Sequence, residues 1–360
     1  CDWSSDVCSS DLSTFSKNDS HYMAIALKLA NEGRYGVGAN PMVGCVIVKD
    51  DQIIAKGYHQ TFGEAHGEIN ALKQIDHQAH GATFYVTLEP CSHQGKTPPC
   101  AQAIIDSGAK KVIIALLDPN PLVSGKGMAM LENSGIEVIT GLMENKALEL
   151  NRGFVKRMQT GLPFVTCKIA MSLDGKTSMT SGESKWITGE PARQDVQKLR
   201  ANHQAIITGS GTIITDNPSM TVRLNNINSS PLRVVIDSKN QIQDTALNIF
   251  SNDAPTLILN TNNVQVLESG KLDLNDALKH LGDQGINNAL LEAGPGLIGA
   301  MLEAKLIDEF IIYTAPILMG SEANSMATLV LNKMSDKIEL SINDIRIIGD
   351  DIRISAKIKP

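Results

Sequence analysis

Aromatic side chains make up only 4% of the 360 residues, and there are only two tryptophans. No apolar run reaches the ~18 residues a transmembrane helix requires, and the first 30 residues lack the basic-then-apolar order of a secretory signal. A membrane partner is therefore not expected. Positive charge is also in deficit: 32 Lys and Arg against 39 Asp and Glu leave a net charge of −7. That argues against a broad electrostatic grip on nucleic acid but leaves room for a local basic pocket. Six cysteines in a chain of this length do not make a disulfide scaffold. Cys45 in "VGCVIV" and Cys167 in "FVTCKIA" read as small buried hydrophobes of strands. Cys1 and Cys8 belong to an odd prefix, "CDWSSDVCSSDL". Its Cys-x6-Cys spacing without histidine is a poor zinc site. Back-translated codon by codon, residues 1–12 read as a short-read sequencing adapter. They are expected to be a disordered artefact, with the true N-terminus unknown. Cys91 and Cys100 remain, in a stretch that does not look like a core element.

What is present is an ordinary globular composition, 42% apolar and 20% charged. Its length favours two domains. "HYMAIALKLANEG" reads as a helix, and "VGCVIVKD" and "IIAKGY" as strands joined by a tight Asp-Asp-Gln turn. Helix-strand alternation then runs through "AHGEINALKQI", "ATFYVTL", "CAQAIIDSG", "KKVIIALL", "GMAMLENSG" and "IEVIT", an α/β three-layer pattern. "LNRGFVKRMQTGLP" breaks the alternation, so the expected domains are 13–160 and 161–360. The second series holds the strand-like "FVTCKIAMS", "QAIITG", "LRVVID", "PTLILN", "NALLEA" and "EFIIYTA", and the helical "PARQDVQKLRA", "LNDALKHLGD" and "LIGAMLEAKL". "DIRIIGDDIRISAKI" reads as a closing β-hairpin.

Two constellations carry chemistry. In the first, His66 and Glu68 open a helix, and Cys91 and Cys100 follow a strand. One imidazole and two thiolates suit a zinc ion that keeps a position open for water. Glu68 can reach that water without being a ligand, the general acid/base arrangement of a zinc deaminase. A His-x-Glu alone is usually a helix cap, and a Cys pair with eight residues between is weak alone. Their order, with a strand between them and Pro-Cys opening the next helix, gives the set its force. In the second, Gly294-x-Gly296-x-x-Gly299 lies between a strand and a helix. Such a turn suits a pyrophosphate, but it is misplaced for a Rossmann fingerprint, and a plain tight turn is about as good a reading.

On "NPMVGCVIV", "GYHQ", "HGEINAL", "YVTLEPCSHQGKTPPC" and "DPNP", residues 20–160 resemble the deaminase domain of the bacterial bifunctional riboflavin biosynthesis family, within the cytidine deaminase superfamily. On "SLDGK", "SKWIT" and "DNPSMTVR", residues 163–360 resemble its reductase domain. The resemblance implies a cytidine-deaminase-like three-layer α/β/α domain followed by a dihydrofolate-reductase-like α/β domain. It implies zinc and NADPH as cofactors, a phosphorylated pyrimidine as substrate, and a cytoplasmic homo-oligomer without nucleic-acid or membrane partners. In the deaminase it implies substrate contacts from Asn40, His59, His93, Asp118 and Asn120, with Lys96 and Thr97 on the 5′-phosphate. In the reductase, Ser184, Arg200, Met220, Arg223 and Glu292 would hold substrate. Ala170, Trp186, Thr212, Asp216, Ser238, Gly294, Pro295, Gly296 and Gly299 would contact NADPH. Lys168 would act on the sugar while hydride reaches C1′; the plainer reading is a strand-edge lysine facing solvent. Gly67 and Asn70 depart from the family, which usually has alanine and histidine there. Two rivals are kept: a zinc deaminase of another nucleoside or tRNA base with an idle second half, and a nucleotide-binding regulatory protein.

Overall fold

The computed structural model describes residues 15–93, 98–120, 123–225 and 230–359. The expectations for residues 1–12, Lys96 and Thr97 lie outside them. The chain divides into two compact units, with the second beginning at Gly161.

In the first unit, α1 (Lys17–Glu32) starts with a capping box. Ser16 Oγ accepts from the Asp19 amide, and the Asp19 carboxylate accepts from the Ser16 amide, so two orphan amides of the first turn are satisfied. Then follow β1 (Gly44–Lys49), β2 (Gln52–Tyr58), α2 (Gly67–Leu72), β3 (Thr83–Val86), α3 (Cys100–Asp106), β4 (Lys111–Ile114), α4 (Lys126–Asn133), β5 (Glu137–Thr140), α5 (Glu144–Leu150) and α6 (Arg152–Thr160). The β1–β2 turn places Asp50 and Asp51 at φ 49° and 57°, the two left-handed residues that match strand twist in a two-residue hairpin. The sheet order is β2-β1-β3-β4-β5. β1 is antiparallel to both its neighbours, and β3, β4 and β5 run parallel. Cys45 to Val48 are all buried. Successive side chains point to opposite faces, so both faces of the sheet are covered, which makes the layers three. The segment that breaks the alternation is itself helical, as α6.

The second unit comprises β6 (Phe164–Ser172), β7 (Lys176–Ser178), α7 (Glu190–Ala201), β8 (Ala205–Gly209), α8 (Ser210–Asp216), β9 (Leu232–Ile236), β10 (Thr256–Leu259), α9 (Leu274–Asp283), β11 (Asn288–Leu291), α10 (Pro295–Glu303), β12 (Glu309–Ala315), β13 (Asn324–Ser325), β14 (Leu340–Ile348) and β15 (Asp351–Ile358). Its main sheet runs β10-β9-β8-β11-β6-β12-β15-β14. The first six strands are parallel and the closing hairpin is antiparallel. Val165, Cys167, Ile169, Ala205, Ile207, Ala289 and Leu291 join one core on one face. Alternation therefore places Lys168 of β6 and Glu292, just beyond β11, on the opposite face. Leu291 pairs with Cys167, so Glu292 arrives beside Lys168.

Candidate active sites

His66 is the N-cap residue of α2, with extended φ/ψ of −74° and 171°. Cys91 lies in the segment after β3, and Cys100 is the first residue of α3. The three donor atoms lie within 4.8 Å of one another. His66 Nδ1 is 3.7 Å from Cys91 Sγ and 3.4 Å from Cys100 Sγ. A tetrahedral zinc ion with ordinary Zn–N and Zn–S bonds sets nitrogen and sulfur about 3.6 Å apart, so the donors are already spaced for it. The Cys100 thiol and His66 draw Cys91 down, and Cys100 is pushed up as the other half of that pair.

Glu68 is 2% exposed, and its Oε2 has no hydrogen-bond partner. Burial pushes its carboxyl up to about 7, and a cation at the three donors would lower it. A buried carboxylate oxygen left unpaired is costly unless something fills its reach. Gly67 is accounted for by packing: a Cβ there would lie 2.9 Å from the Val43 carbonyl, so the start of α2 sits against the residue that leads into β1. Asn70 donates to the Tyr58 and Ala65 carbonyls, tying the helix to the loop before it.

His59 is buried, with its ring edge-on to His66. Its Nδ1 donates to the Ala65 carbonyl and its Nε2 accepts from the Asn40 amide, 3.0 Å away. That holds one tautomer and aims Asn40. Both ring nitrogens of His59 are thus engaged within the protein, so its contribution is to the placement of Asn40 and His66. His93 is exposed. Asp118 accepts from the Asn120 amide, and burial raises its carboxyl above the ordinary range.

In the second unit, Arg200 of α7 grips Glu292 with two bonds, Nε–Oε1 at 2.6 Å and NH2–Oε2 at 3.0 Å. Its remaining NH1 donates to the Thr221 carbonyl. Lys168 Nζ stands 4.0 Å from Glu292 Oε2. The three side chains are 13–19% exposed. Burial works to raise the Glu292 carboxyl, but Arg200 and Lys168 overcome it and hold it at about 2. Burial lowers Lys168, with Arg200 helping and Glu292 opposing. The strand-edge reading of Lys168 fails, because β6 lies between β11 and β12. Glu292 spends both oxygens on Arg200, so its visible work is to orient that guanidinium.

Most residues expected to face NADPH fall at the carboxyl ends of adjacent parallel strands, where open α/β sheets bind ligands. Ala170 is near the end of β6, Thr212 and Asp216 are in α8 after β8, and Ser238 follows β9. Gly294 caps α10, with Pro295 as its first residue and Gly296 facing open space. Gly299 does not share that turn. It is buried inside α10, where a Cβ would lie 2.1 Å from the Thr328 carbonyl, so close packing accounts for the glycine. Met220 also departs from expectation. Its φ of 50° turns the side chain into a cluster with Ile206, Ile213, Val235 and Ile249, so it anchors its loop in the core. Arg223 and Trp186 are exposed. The Arg193 guanidinium lies 4.6 Å above the Trp186 ring, and Ser184 is half-buried on the same segment.

Sequence reading passed over two buried charges. Arg233 of β9 is fully buried and donates to Ser219, Asn248, Ser251 and Ala254, binding the α8–β9 and β9–β10 connections together. Glu89 collects backbone amides near Cys91. The sequence signal is a charge inside the strand-like "LRVVID" for Arg233 and one directly after "ATFYVTL" for Glu89.

Three donors at zinc spacing beside a buried carboxylate in one α/β unit fit a metal-dependent deaminase, and the next unit carries a buried Lys–Glu–Arg set on a largely parallel sheet. The family described as "Cytidine and deoxycytidylate deaminase zinc-binding region" matches residues 16–116, and the "RibD C-terminal domain" matches residues 163–354. The riboflavin biosynthesis protein RibD of Escherichia coli K12 is 45% identical over 359 residues, covering 93% of this chain and 98% of that one. That of Bacillus amyloliquefaciens is 43% identical, covering 94% and 96%. Among solved structures, Acinetobacter baumannii RibD superposes with a TM-score of 0.89 at 43% identity, covering 96% and 99%. The deaminase/reductase of Thermotoga maritima superposes at 0.86 and 31%, covering 95% and 99%. The chain belongs to the RibD family of bifunctional riboflavin biosynthesis enzymes, with a zinc-binding deaminase unit and an NADPH-using reductase unit.

Proposed function

We propose that the first unit removes the 2-amino group of 2,5-diamino-6-ribosylamino-4(3H)-pyrimidinone 5′-phosphate. The second unit then reduces the ribosyl chain of 5-amino-6-(5-phosphoribosylamino)uracil to ribityl. The observation that carries the reading is the unpartnered Glu68 Oε2 beside three donors at zinc spacing. The Thermotoga maritima relative is described by both activities.

His66, Cys91 and Cys100 would hold the zinc, which supplies the positive charge that makes a water acidic near neutral pH. Glu68 takes a proton from water at Oε2 as the water oxygen bonds to C2, and carries that proton to the leaving nitrogen; the C2–N bond breaks, ammonia departs and C2 keeps the oxygen as a carbonyl. Asn40, aimed by His59, and the Asp118–Asn120 turn hold the pyrimidine, with Lys96 and Thr97 assigned to the phosphate. In the second unit, Ala170, Thr212, Asp216, Ser238 and the Gly294–Gly296 turn would hold NADPH, which would supply the hydride for C1′. Lys168 protonates the sugar oxygen released as the ring opens, and its lowered proton affinity suits that task. Arg200 is fixed by Glu292 and, with Arg223 and Ser184, grips the phosphorylated sugar.

Two broader points belong to the same reading. The described cysteines Cys45, Cys91, Cys100 and Cys167 are all free thiols, as a reducing cytoplasm keeps them. Ile342, Ile345 and Ile347 of β14 and Ile352 of β15 are 38–80% exposed on one face of the closing hairpin, a surface a second copy of the chain would cover; light scattering of the purified protein tests the homo-oligomer. The function is tested by offering the diaminopyrimidinone phosphate and cytidine in parallel. Ammonia release from the former alone is expected. Release from cytidine alone would support the rival nucleoside deaminase.

A further inference from the structure

One heavily engaged carboxylate of the first unit, Glu89, is neither a metal ligand nor a proton carrier. Glu89 follows β3, two residues before Cys91, and is 4% exposed. Its backbone amide donates to the Leu116 carbonyl. Its Oε2 accepts from the amides of Asp118 at 3.1 Å and Gly125 at 3.0 Å. Its Oε1 accepts from the amides of Gly127 at 2.8 Å and Met128 at 3.1 Å. Gly127 and Met128 lie in the first turn of α4, whose N-cap residue Gly125 has no side chain to satisfy them. A carboxylate from outside therefore does the capping and meets the positive end of the helix dipole. The fit is close: a Cβ on Gly127 would lie 1.9 Å from the Pro90 carbonyl, so only glycine lets α4 approach the segment that carries Cys91.

This one side chain joins two parts of the deaminase site. Through the chain it is fixed to the metal ligand Cys91. Through Asp118 it is fixed to the turn in which Asp118 Oδ1 accepts from the Asn120 amide. We propose that Glu89 is a positioning residue of the deaminase, holding the Asp118–Asn120 turn in register with Cys91 so that the pyrimidine meets the metal centre in one orientation. The inference rests on the reading that this turn contacts substrate. It goes beyond that reading in assigning the register of the turn to a residue that touches no substrate.

The test compares full-length wild type with Glu89→Gln, Glu89→Asp and Asn120→Ala. Glutamine keeps the shape but offers one oxygen, so its NH2 must face two of the four amide donors. Deaminase KM is expected to rise about tenfold in Glu89→Gln, with kcat changed less than about threefold. Zinc content and NADPH oxidation in the same chain should be unchanged. Glu89→Asp keeps the charge on a shorter arm and should give an intermediate KM; it serves alone if the glutamine variant does not fold. An unchanged KM in Glu89→Gln while Asn120→Ala raises it overturns the proposal. So does a fall in zinc content and kcat together, which marks a purely structural role. An unchanged KM in Asn120→Ala overturns the underlying reading of the turn, and the proposal with it.

Discussion

Replacing Glu292 by glutamine tests the electrostatics of the second unit quantitatively. The carboxylate is 13% exposed, bound twice by Arg200 and faced by Lys168 at 4.0 Å. Its carboxyl is lowered from 4.5 to about 2. At ~1.4 kcal/mol for each tenfold change in proton affinity, that is roughly 3 kcal/mol of folded-state stabilisation. Direct removal of one partner from a buried ion pair costs a similar amount, about 3–5 kcal/mol. Glutamine would leave Arg200 and Lys168 as two neighbouring cations with no anion between them. For a unit of this size the loss corresponds to a Tm drop of roughly 6–12 °C. The pH dependence follows from the direction of the shift. The folded chain binds the proton more weakly than the unfolded one, so the contribution is full above about 4.5 and disappears as pH falls through about 2. Scanning calorimetry of wild type and Glu292→Gln, from pH 7 down to the lowest pH at which both stay folded, should show a gap that is wide at neutrality and narrows below pH ~4.5. A gap under ~1 kcal/mol at pH 7, or one that does not narrow on acidification, would refute the reasoning.

Two further outcomes follow. Stripping the metal with a chelator should cut ammonia release by at least ~100-fold while NADPH oxidation persists, and zinc should restore it; equal loss of both activities would count against a metal confined to the first unit. Gly299→Ala puts a methyl group 2.1 Å from the Thr328 carbonyl and should destabilise the second unit by ~1–3 kcal/mol, read by thermal unfolding.

Much of this is legible in the sequence where the signal is local. "LNDALKHLGD" coincides with α9 because Asp273 caps it and its leucines recur at helical spacing. The zinc donors are legible because few residue types bind the ion and their order restricts the fold. What escapes is built from distant partners. Glu292 and Arg200 are 92 residues apart, and the amides held by Glu89 lie 29 to 39 residues from it. α8 escapes because "SGTIITD" is rich in β-branched residues, which favour strands. β7 and β13, three and two residues long, exist only as a pair. Met220, which the resemblance makes a substrate contact, escapes too, since nothing local announces its positive φ or its burial.

The central claim is that two separate sets of residues run two reactions. The most direct measurement follows ammonia release from the diaminopyrimidinone phosphate and NADPH oxidation with the uracil substrate, in wild type, Glu68→Gln and Lys168→Ala. Glu68→Gln should keep its zinc and its NADPH oxidation while losing ~100- to 10,000-fold in deamination. Lys168→Ala should release ammonia normally and lose reduction. Loss of both activities in either folded variant, or near-normal NADPH oxidation by Lys168→Ala, would contradict the account.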